Sequence, residues 1–151
     1  MTIHRLKAGV GTMAIEYRAD LIGVDWEAFK QDLIDDDFHN GRTTRQLRLS
    51  FENSSQVVMV WDGRRVIGSA RQLSDGVGNA YVIDVWTHSA HRRGGIATTM
   101  MKMLIDAVPG QHIYLQTDDA VEFYRKIGFT EQPQGLRFVS GKYLQNETRE
   151  G

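Results

Sequence analysis

The clearest helical pattern in the chain follows residue 95. Apolar residues recur there at intervals of three and four, which places them on one face of a helix. The face consists of Ile96, Ala97, Met100, Met101, Leu104, Ile105 and Val108. Pro109-Gly110 ends the pattern, so the sequence predicts a helix that packs this face against a core.

Three other helices are predicted. From Val24 onward, an apolar face formed with positions 22, 26, 29, 33 and 34 predicts a first helix, with Asp25 as its N-cap. A second helix is predicted over residues 43–51, capped by Thr43 or Thr44. The third covers residues 120–127 and stops at Gly128, the usual residue just past a helix end.

The strands are predicted where β-branched and aromatic residues cluster between turn signals. They are residues 14–18, 56–61, 65–73, 80–87, 112–116 and 136–139, while the first dozen residues are expected to be a loose start. Asp62-Gly63 predicts a hairpin turn, and residues 74–79 make the next turn of an antiparallel meander. Strands and helices alternate only around residues 80–108, so we expect an α+β fold with a mixed sheet.

Composition narrows the class of protein. With 151 residues, no internal repeat and no linker-like tract, the chain is expected to form one domain, residues 1–151. A net charge of -1 gives no general attraction to nucleic acid or to an anionic membrane. The absence of cysteine excludes disulfides and thiolate chemistry. No apolar run approaches the roughly 18 residues of a membrane span, and no signal-peptide pattern is seen, so a cytoplasmic location is expected.

A glycine-rich turn joins the strand over residues 80–87 to the helix after residue 95. Its sequence, Arg92-Arg93-Gly94-Gly95-Ile96-Ala97, fits the pattern basic-x-x-Gly-x-Gly/Ala. Adjacent glycines let the backbone approach a ligand, and the following helix start offers unpaired N–H groups to an anion. Taken alone, the motif fits a structural turn equally well. It is not a nucleotide-hydrolysing P-loop, and its position after a meander is wrong for a dinucleotide site.

A second motif lies downstream, Ala120-x-x-Phe123-Tyr124-x-Lys126-x-Gly128-Phe129. Together the two motifs resemble those of the Gcn5-related N-acetyltransferase (GNAT) superfamily, over residues 57–129. Residues 74–76 and 79–85 are similar, more narrowly, to bacterial and plant or cyanobacterial arylalkylamine-type members. The resemblance implies a GNAT-like fold: a central mixed, mostly antiparallel, splayed sheet of six to seven strands flanked by about four helices.

The resemblance also implies a binding site for acetyl-CoA as co-substrate. The backbone of the splayed strand would pair with the pantetheine arm, and the glycine-rich loop would hold the pyrophosphate. Thr117 stands where many members have an asparagine that contacts the pantetheine. The implied binding residues are Val85, Trp86, Thr87, Arg92, Arg93, Gly94, Gly95, Ile96, Ala97, Thr98, Thr117, Ala120, Phe123 and Tyr124.

Tyr124 is the general acid that the resemblance implies, protonating the coenzyme thiolate as it leaves. The alternative is a packing role, because Tyr124 shares a helix face with Ala120 and Ile127. An alkylammonium with a pKa of about 10 must also lose a proton before it attacks, so a base is needed. Many relatives use a Glu where this chain has Tyr81, which leaves Asp84 as the predicted base and His88 as another candidate.

The sequence therefore predicts an N-acetyltransferase that acts on a primary amine of a small molecule. Two alternatives stay open: acetylation of protein amino groups or polyamines, and a non-catalytic coenzyme A-binding sensor, which the residue at position 81 favours. No metal, nucleic acid or membrane partner is expected. A homodimer is expected only because small enzymes of this type frequently dimerise.

Overall fold

A six-stranded sheet forms the centre of the first part of the computed structural model, which describes residues 3–7 and 14–145. The strands lie side by side in chain order, antiparallel except for the last pair, which is parallel. They are β1 (Ile3–Lys7), β2 (Ala14–Arg18), β3 (Gln56–Asp62), β4 (Arg65–Ser74), β5 (Asn79–Thr87) and β6 (His112–Tyr114). This mixed, mostly antiparallel sheet confirms the predicted α+β class and the lower of the two predicted strand counts.

The described residues contain four α-helices: α1 (Trp26–Asp35), α2 (Thr44–Glu52), α3 (Ile96–Asp106) and α4 (Val121–Lys126). Both predicted N-caps are confirmed. The Asp25 side chain accepts a hydrogen bond from the Ala28 N–H, and Thr43 forms a reciprocal capping box with Gln46. No helix in the described part of the chain has the length and apolar character that a bilayer crossing requires.

Helices cover both faces of the sheet. On one face, Phe29 and Leu33 of α1 pack with Phe51 of α2 and Met59 of β3 in a single buried cluster. Successive strand residues point to opposite faces of the sheet, so Val60 points away from the face that Met59 covers. Val60 pairs with Gly68, and a β-carbon at Gly68 would contact both Val60 and Ile96 of α3. We conclude that α3 covers the other face, where its predicted apolar stripe is buried at Ile96, Met100, Met101 and Leu104.

Contacts divide the chain into two units, the first ending at Tyr114 and the second beginning at Leu115. The sheet and α1 to α3 belong to the first unit, and α4 belongs to the second. That the whole chain acts as one domain stays a prediction.

The strands of the structure differ from the predictions at three places. Residues 3–7 were expected to be loose but form β1, because they pair in register with the whole of β2; residues 1, 2 and 8–13 lie outside the described part. Residues 136–139 form no strand, and Leu136 and Phe138 are more than nine-tenths exposed, so no burial supports one there. The predicted strand over residues 112–116 ends at Tyr114, where its pairing with β5 stops.

Candidate functional site

The loop between β5 and α3 has the backbone that an anion site requires. A short 3-10 turn over Ser89–His91 follows β5, and Gly95 then takes the N-cap position of α3 with a φ of 80°. A β-carbon at Gly95 would meet nothing within 4 Å, so the requirement for glycine is conformational rather than steric. Gly95 offers no side chain to cap α3, which leaves the first N–H groups of the helix available to a ligand.

The two arginines of the loop have different environments. Arg92 folds back on the protein: its Nε donates to the Thr87 carbonyl at 3.1 Å, and its Nη2 lies 3.8 Å from the Asp36 carboxylate. Arg93 is exposed, has a φ of 68° and has no hydrogen-bond or ion-pair partner among the described residues. Arg92 therefore fixes the loop to β5, and Arg93 is the cation free to meet a phosphate.

Asp36, which the sequence did not single out as an anchor, ties the loop to the end of α1. Its Oδ2 accepts hydrogen bonds from Trp86 Nε1 at 2.9 Å and from the Ser89 N–H at 3.0 Å. Burial by itself would raise the pKa of Asp36, but the hydrogen bonds from Ser89 and Trp86 outweigh it and lower the pKa. The carboxylate is thus held ionised beneath the loop.

The end of β5 presents an unpaired backbone edge. Among the described residues, β6 pairs with β5 only at Asn79, Ala80 and Tyr81, and the rest of β5 has a neighbouring strand, β4, on one side alone. This is the edge at which the splay was predicted. The Trp86 side chain is buried in the core and engaged with Asp36, so Trp86 can offer a ligand mainly its backbone groups. The binding role of Val85, Trp86 and Thr87 stays a prediction.

Asp84, the predicted base, lies in the middle of β5 in a left-handed conformation, with a φ of 57°. Its carboxylate is buried between two arginines, 2.8 Å from Arg42 Nη1 and 2.6 Å from Arg71 Nε. A base at this position would have to exchange these ion pairs for a proton. No observation here tests the role directly, so Asp84 as base stays a prediction.

His88, the other candidate base, is engaged in the structure of the loop. Its Nδ1 accepts from the Ala90 N–H at 3.0 Å and caps the 3-10 turn. Its Nε2 lies 3.0 Å from Arg65 Nη2 and 4.0 Å from the Asp32 carboxylate. These contacts favour a role in shaping the turn that leads into the anion loop.

The second unit assembles the Tyr124 motif locally. Thr117 Oγ1 accepts a hydrogen bond from the Ala120 N–H at 3.0 Å, just before α4 begins. The Tyr124 ring packs between Phe123 and Phe129, with centroids 4.9 and 5.7 Å away. Burial, with a smaller contribution from the charge of Asp119, raises the pKa of the Tyr124 phenol.

The phenol of Tyr124 has the properties of a proton donor. Its oxygen has no hydrogen-bond partner among residues 3–7 and 14–145, so its proton is not engaged by the protein there. The raised pKa keeps that proton on the oxygen through neutral pH. Both features fit the predicted acid.

The predicted site residues therefore fall into two local groups. The first lies at the end of β5 and, after the 3-10 turn, in the loop and first residues of α3: Val85, Trp86, Thr87, Arg92, Arg93, Gly94, Gly95, Ile96, Ala97 and Thr98. The second surrounds the start of α4: Thr117, Ala120, Phe123 and Tyr124. Sequence reasoning missed Arg42 and Arg71; a charged residue in the interior of the β4 segment was the available signal for Arg71.

Comparison with known proteins points to the same chemistry. The family model described as the acetyltransferase (GNAT) family matches residues 18–129. An uncharacterised N-acetyltransferase, ycf52, of Porphyra purpurea is 28% identical over 104 residues, which cover 64% of this chain and 60% of that protein. The histone acetyltransferase TAP1 of Glycine max is 31% identical over 78 residues, or 49% of this chain and 34% of that protein.

Solved structures share the fold. A GNAT-family acetyltransferase from Streptococcus pneumoniae superposes with a TM-score of 0.70 at 23% identity, covering 85% of this chain and 99% of that one. Such low identity supports the fold alone, and the chain spans less than two thirds of the curated relatives it matches. The narrower resemblance to arylalkylamine-type members stays a prediction. Because the family model covers more than half of its residues, the chain belongs to the GNAT acetyltransferase family.

Proposed function

We propose that the chain is an N-acetyltransferase that moves the acetyl group of acetyl-CoA to a primary amine of a small molecule. The observation that carries the proposal is the β5–α3 loop, with its uncapped helix start, left-handed Gly95 and unpaired Arg93. Family membership supplies the class of donor. Pyrophosphate on the α3 N–H groups would place the pantetheine arm along residues 85–87 of β5.

The proposed reaction is a direct transfer. The ammonium first loses a proton to solvent, and the neutral amine attacks the thioester carbonyl carbon. As the tetrahedral intermediate collapses, its nitrogen releases a second proton to solvent, the C–S bond breaks, the coenzyme leaves as a thiolate and the amide forms. Tyr124 donates its phenolic proton to the thiolate sulfur, and solvent restores the proton. Support for the acid role comes from the phenol oxygen of Tyr124, which no described residue engages.

Two classes of acceptor remain distinct proposals. The protein from Glycine max is named a histone acetyltransferase, and one structural neighbour, from a soil metagenomic sample, is named an aminoglycoside acetyltransferase with a TM-score of 0.60. We favour the small molecule because a net charge of only -1 gives the chain little attraction for a basic protein segment. Acetylation of a lysine-rich peptide faster than of any small amine would reverse that choice.

The experiment is a turnover assay with acetyl-CoA and a panel of arylalkylamines, aminoglycosides, polyamines and lysine peptides. Release of free thiol is followed together with the mass of the product, since thioester hydrolysis alone also releases thiol. We expect an acetylated amine with the wild type and a loss of turnover, but not of acetyl-CoA binding, in Tyr124→Phe. Tight binding of acetyl-CoA without turnover of any amine would instead support the non-catalytic sensor.

Arg93→Ala tests the loop, with Arg92→Ala as the matched comparison. Because Arg93 is the unpaired cation, its loss should weaken acetyl-CoA binding at unchanged protein stability. Loss of Arg92 should lower stability as well, since it removes the contacts to Thr87 and Asp36. Equal acetyl-CoA affinity in Arg93→Ala and wild type would contradict the proposed phosphate site.

A further inference from the structure

The middle of β5 contains a buried ionic cluster, formed by Arg42, Arg71 and Asp84, that the proposed reaction does not use. The side chains of Arg42 and Asp84 are 7% and 6% exposed, and that of Arg71 is 13% exposed. Arg42 comes from the segment between α1 and α2, and Arg71 comes from β4. The cluster thus connects β5 to two other elements at one point.

Each arginine of the cluster is also anchored to its own surroundings. Arg42 Nε donates to the His39 carbonyl at 3.2 Å, and both its terminal nitrogens reach Asp84, at 2.8 and 3.4 Å. Arg71 Nη1 lies 3.4 Å from the Ser50 carbonyl oxygen at the end of α2. The position of the Asp84 carboxylate is therefore set from two sides.

The backbone at Asp84 is strained in a way that the cluster explains. A φ of 57° in the interior of a strand is a conformation that L-residues other than asparagine and aspartate rarely adopt. At the same point the register with β4 shifts, so that Arg71 pairs with Ile83 and Ser69 with Trp86. Residues 84 and 85 thus form a bulge, a feature that turns the course of a strand. The ion pairs hold the residue that makes this bulge possible.

We propose that Asp84 is a positioning residue, clamped by Arg42 and Arg71 so that the bulge directs the backbone of residues 85–87 toward the coenzyme. The proposal rests on the proposed function, because that function assigns those backbone groups to the pantetheine arm. In this role Asp84 does not transfer a proton, and its carboxylate keeps its ion pairs throughout the reaction. Arg42 and Arg71 are positioning residues in the same sense.

The test compares Asp84→Ala with Asp84→Gly. Both variants remove the carboxylate, but only glycine adopts a φ near 57° without steric cost. We expect kcat/KM to fall about a hundredfold in Asp84→Ala, the scale of a misplacement of about 1 Å, and to recover about tenfold in Asp84→Gly. A base would be lost equally in both, so equal activity of the two variants would overturn the proposal.

Arg71→Met is the second measurement, because it leaves Asp84 in place. A positioning role predicts that its activity falls and that the double variant Asp84→Ala/Arg71→Met is little worse than Asp84→Ala alone. If Asp84 were instead the base, removal of the Arg71 cation would leave the activity of Arg71→Met unchanged or raise it. If Asp84 is a positioning residue, its variants should keep the acidic limb of the kcat/KM pH profile at the same pH, with a lower plateau. If Asp84 is the base, its loss should remove that limb.

Asp37 provides a matched control, since it is exposed and has a φ of 55°. Asp37→Ala and Asp37→Gly should differ in thermal stability but not in kcat, which separates backbone strain as such from its effect on the site. Wild-type protein that binds acetyl-CoA but acetylates no amine would contradict the proposed function. The positioning role of Asp84 would then be tested by acetyl-CoA affinity alone. The affinity should be weaker in Asp84→Ala than in Asp84→Gly, and equal affinities would overturn the proposal.

Discussion

Substitution of Gly68 by alanine is expected to destabilise the protein by about 1 kcal/mol. Gly68 lies in β4 beneath the start of α3, and a β-carbon there would lie 3.2 Å from Cγ2 of Ile96 and 3.2 Å from both Cβ and Cγ2 of Val60. Val60 is the direct partner of Gly68 in the ladder, so it has little freedom to retreat. Overpacking of this kind costs about 1–3 kcal/mol, and removal of a strand glycine returns roughly 0.5–1 kcal/mol.

Chemical denaturation of the wild type and Gly68→Ala measures the difference in the free energy of unfolding. Gly78→Ala is the matched control, because a β-carbon at Gly78 would meet nothing within 4 Å. Its unfolding free energy should stay within about 0.5 kcal/mol of wild type.

A double-mutant cycle with Ile96→Ala tests the assigned cause. Ile96→Ala removes one of the two crowding side chains and costs about 2–5 kcal/mol on its own as a core truncation. In its presence Gly68→Ala should cost less, so the double variant should be more stable than the sum of the two losses. Strict additivity, or a Gly68→Ala protein more stable than wild type, would refute the reasoning.

Three other outcomes are expected. Asp75 accepts from the N–H groups of residues 77, 78 and 79, which lowers its pKa to about 2; its contribution to stability is therefore complete above the unfolded value of 3.8 and disappears as the pH falls toward 2. Amide exchange in that turn should show the loss, and Asp75→Asn should lack it. Because its pKa is raised, Tyr124 as acid predicts that kcat declines only above pH 10, and a tyrosine-dependent decline at lower pH would exclude it. Met100→Ala, at a position with no exposed surface, should lower the unfolding free energy by about 2–5 kcal/mol in a denaturant titration.

The sequence predicts elements well where burial repeats with a helical or strand period. The apolar face of α3 is an example. The caps of α1 and α2 are also predicted well, because Asp25 and Thr43 act on groups three residues away. It fails where an element depends on a partner that its own pattern does not reveal. The strand Ile3–Lys7 exists through its ladder with β2, and residues 136–139 have a strand-like pattern but no partner strand in the described part of the chain.

The two loop arginines likewise differ because of a partner elsewhere in the chain. Adjacent arginines in a glycine-rich turn predict a phosphate site, but nothing local shows that one of them is already engaged. Arg92 is turned toward Asp36, 56 positions earlier in the chain, and toward the Thr87 carbonyl. Only the fold reveals that the charge of Arg93 is the one left for a ligand.

The proposed coenzyme site of this chain relies on backbone groups, whereas the cluster around Asp84 relies on side chains. A backbone site leaves a record in the sequence, because Gly95 must be glycine-like to hold a φ of 80° whatever surrounds it. The cluster around Asp84 leaves no comparable record, since aspartate tolerates the left-handed region and its partners lie 13 and 42 residues away. Asp84 therefore resembles a base in the sequence, as any isolated carboxylate near a predicted site does. In the proposed positioning role, the two ion pairs and the left-handed backbone of Asp84 set the course of residues 85–87. The glycine substitution, rather than the loss of the carboxylate, therefore decides between the two roles.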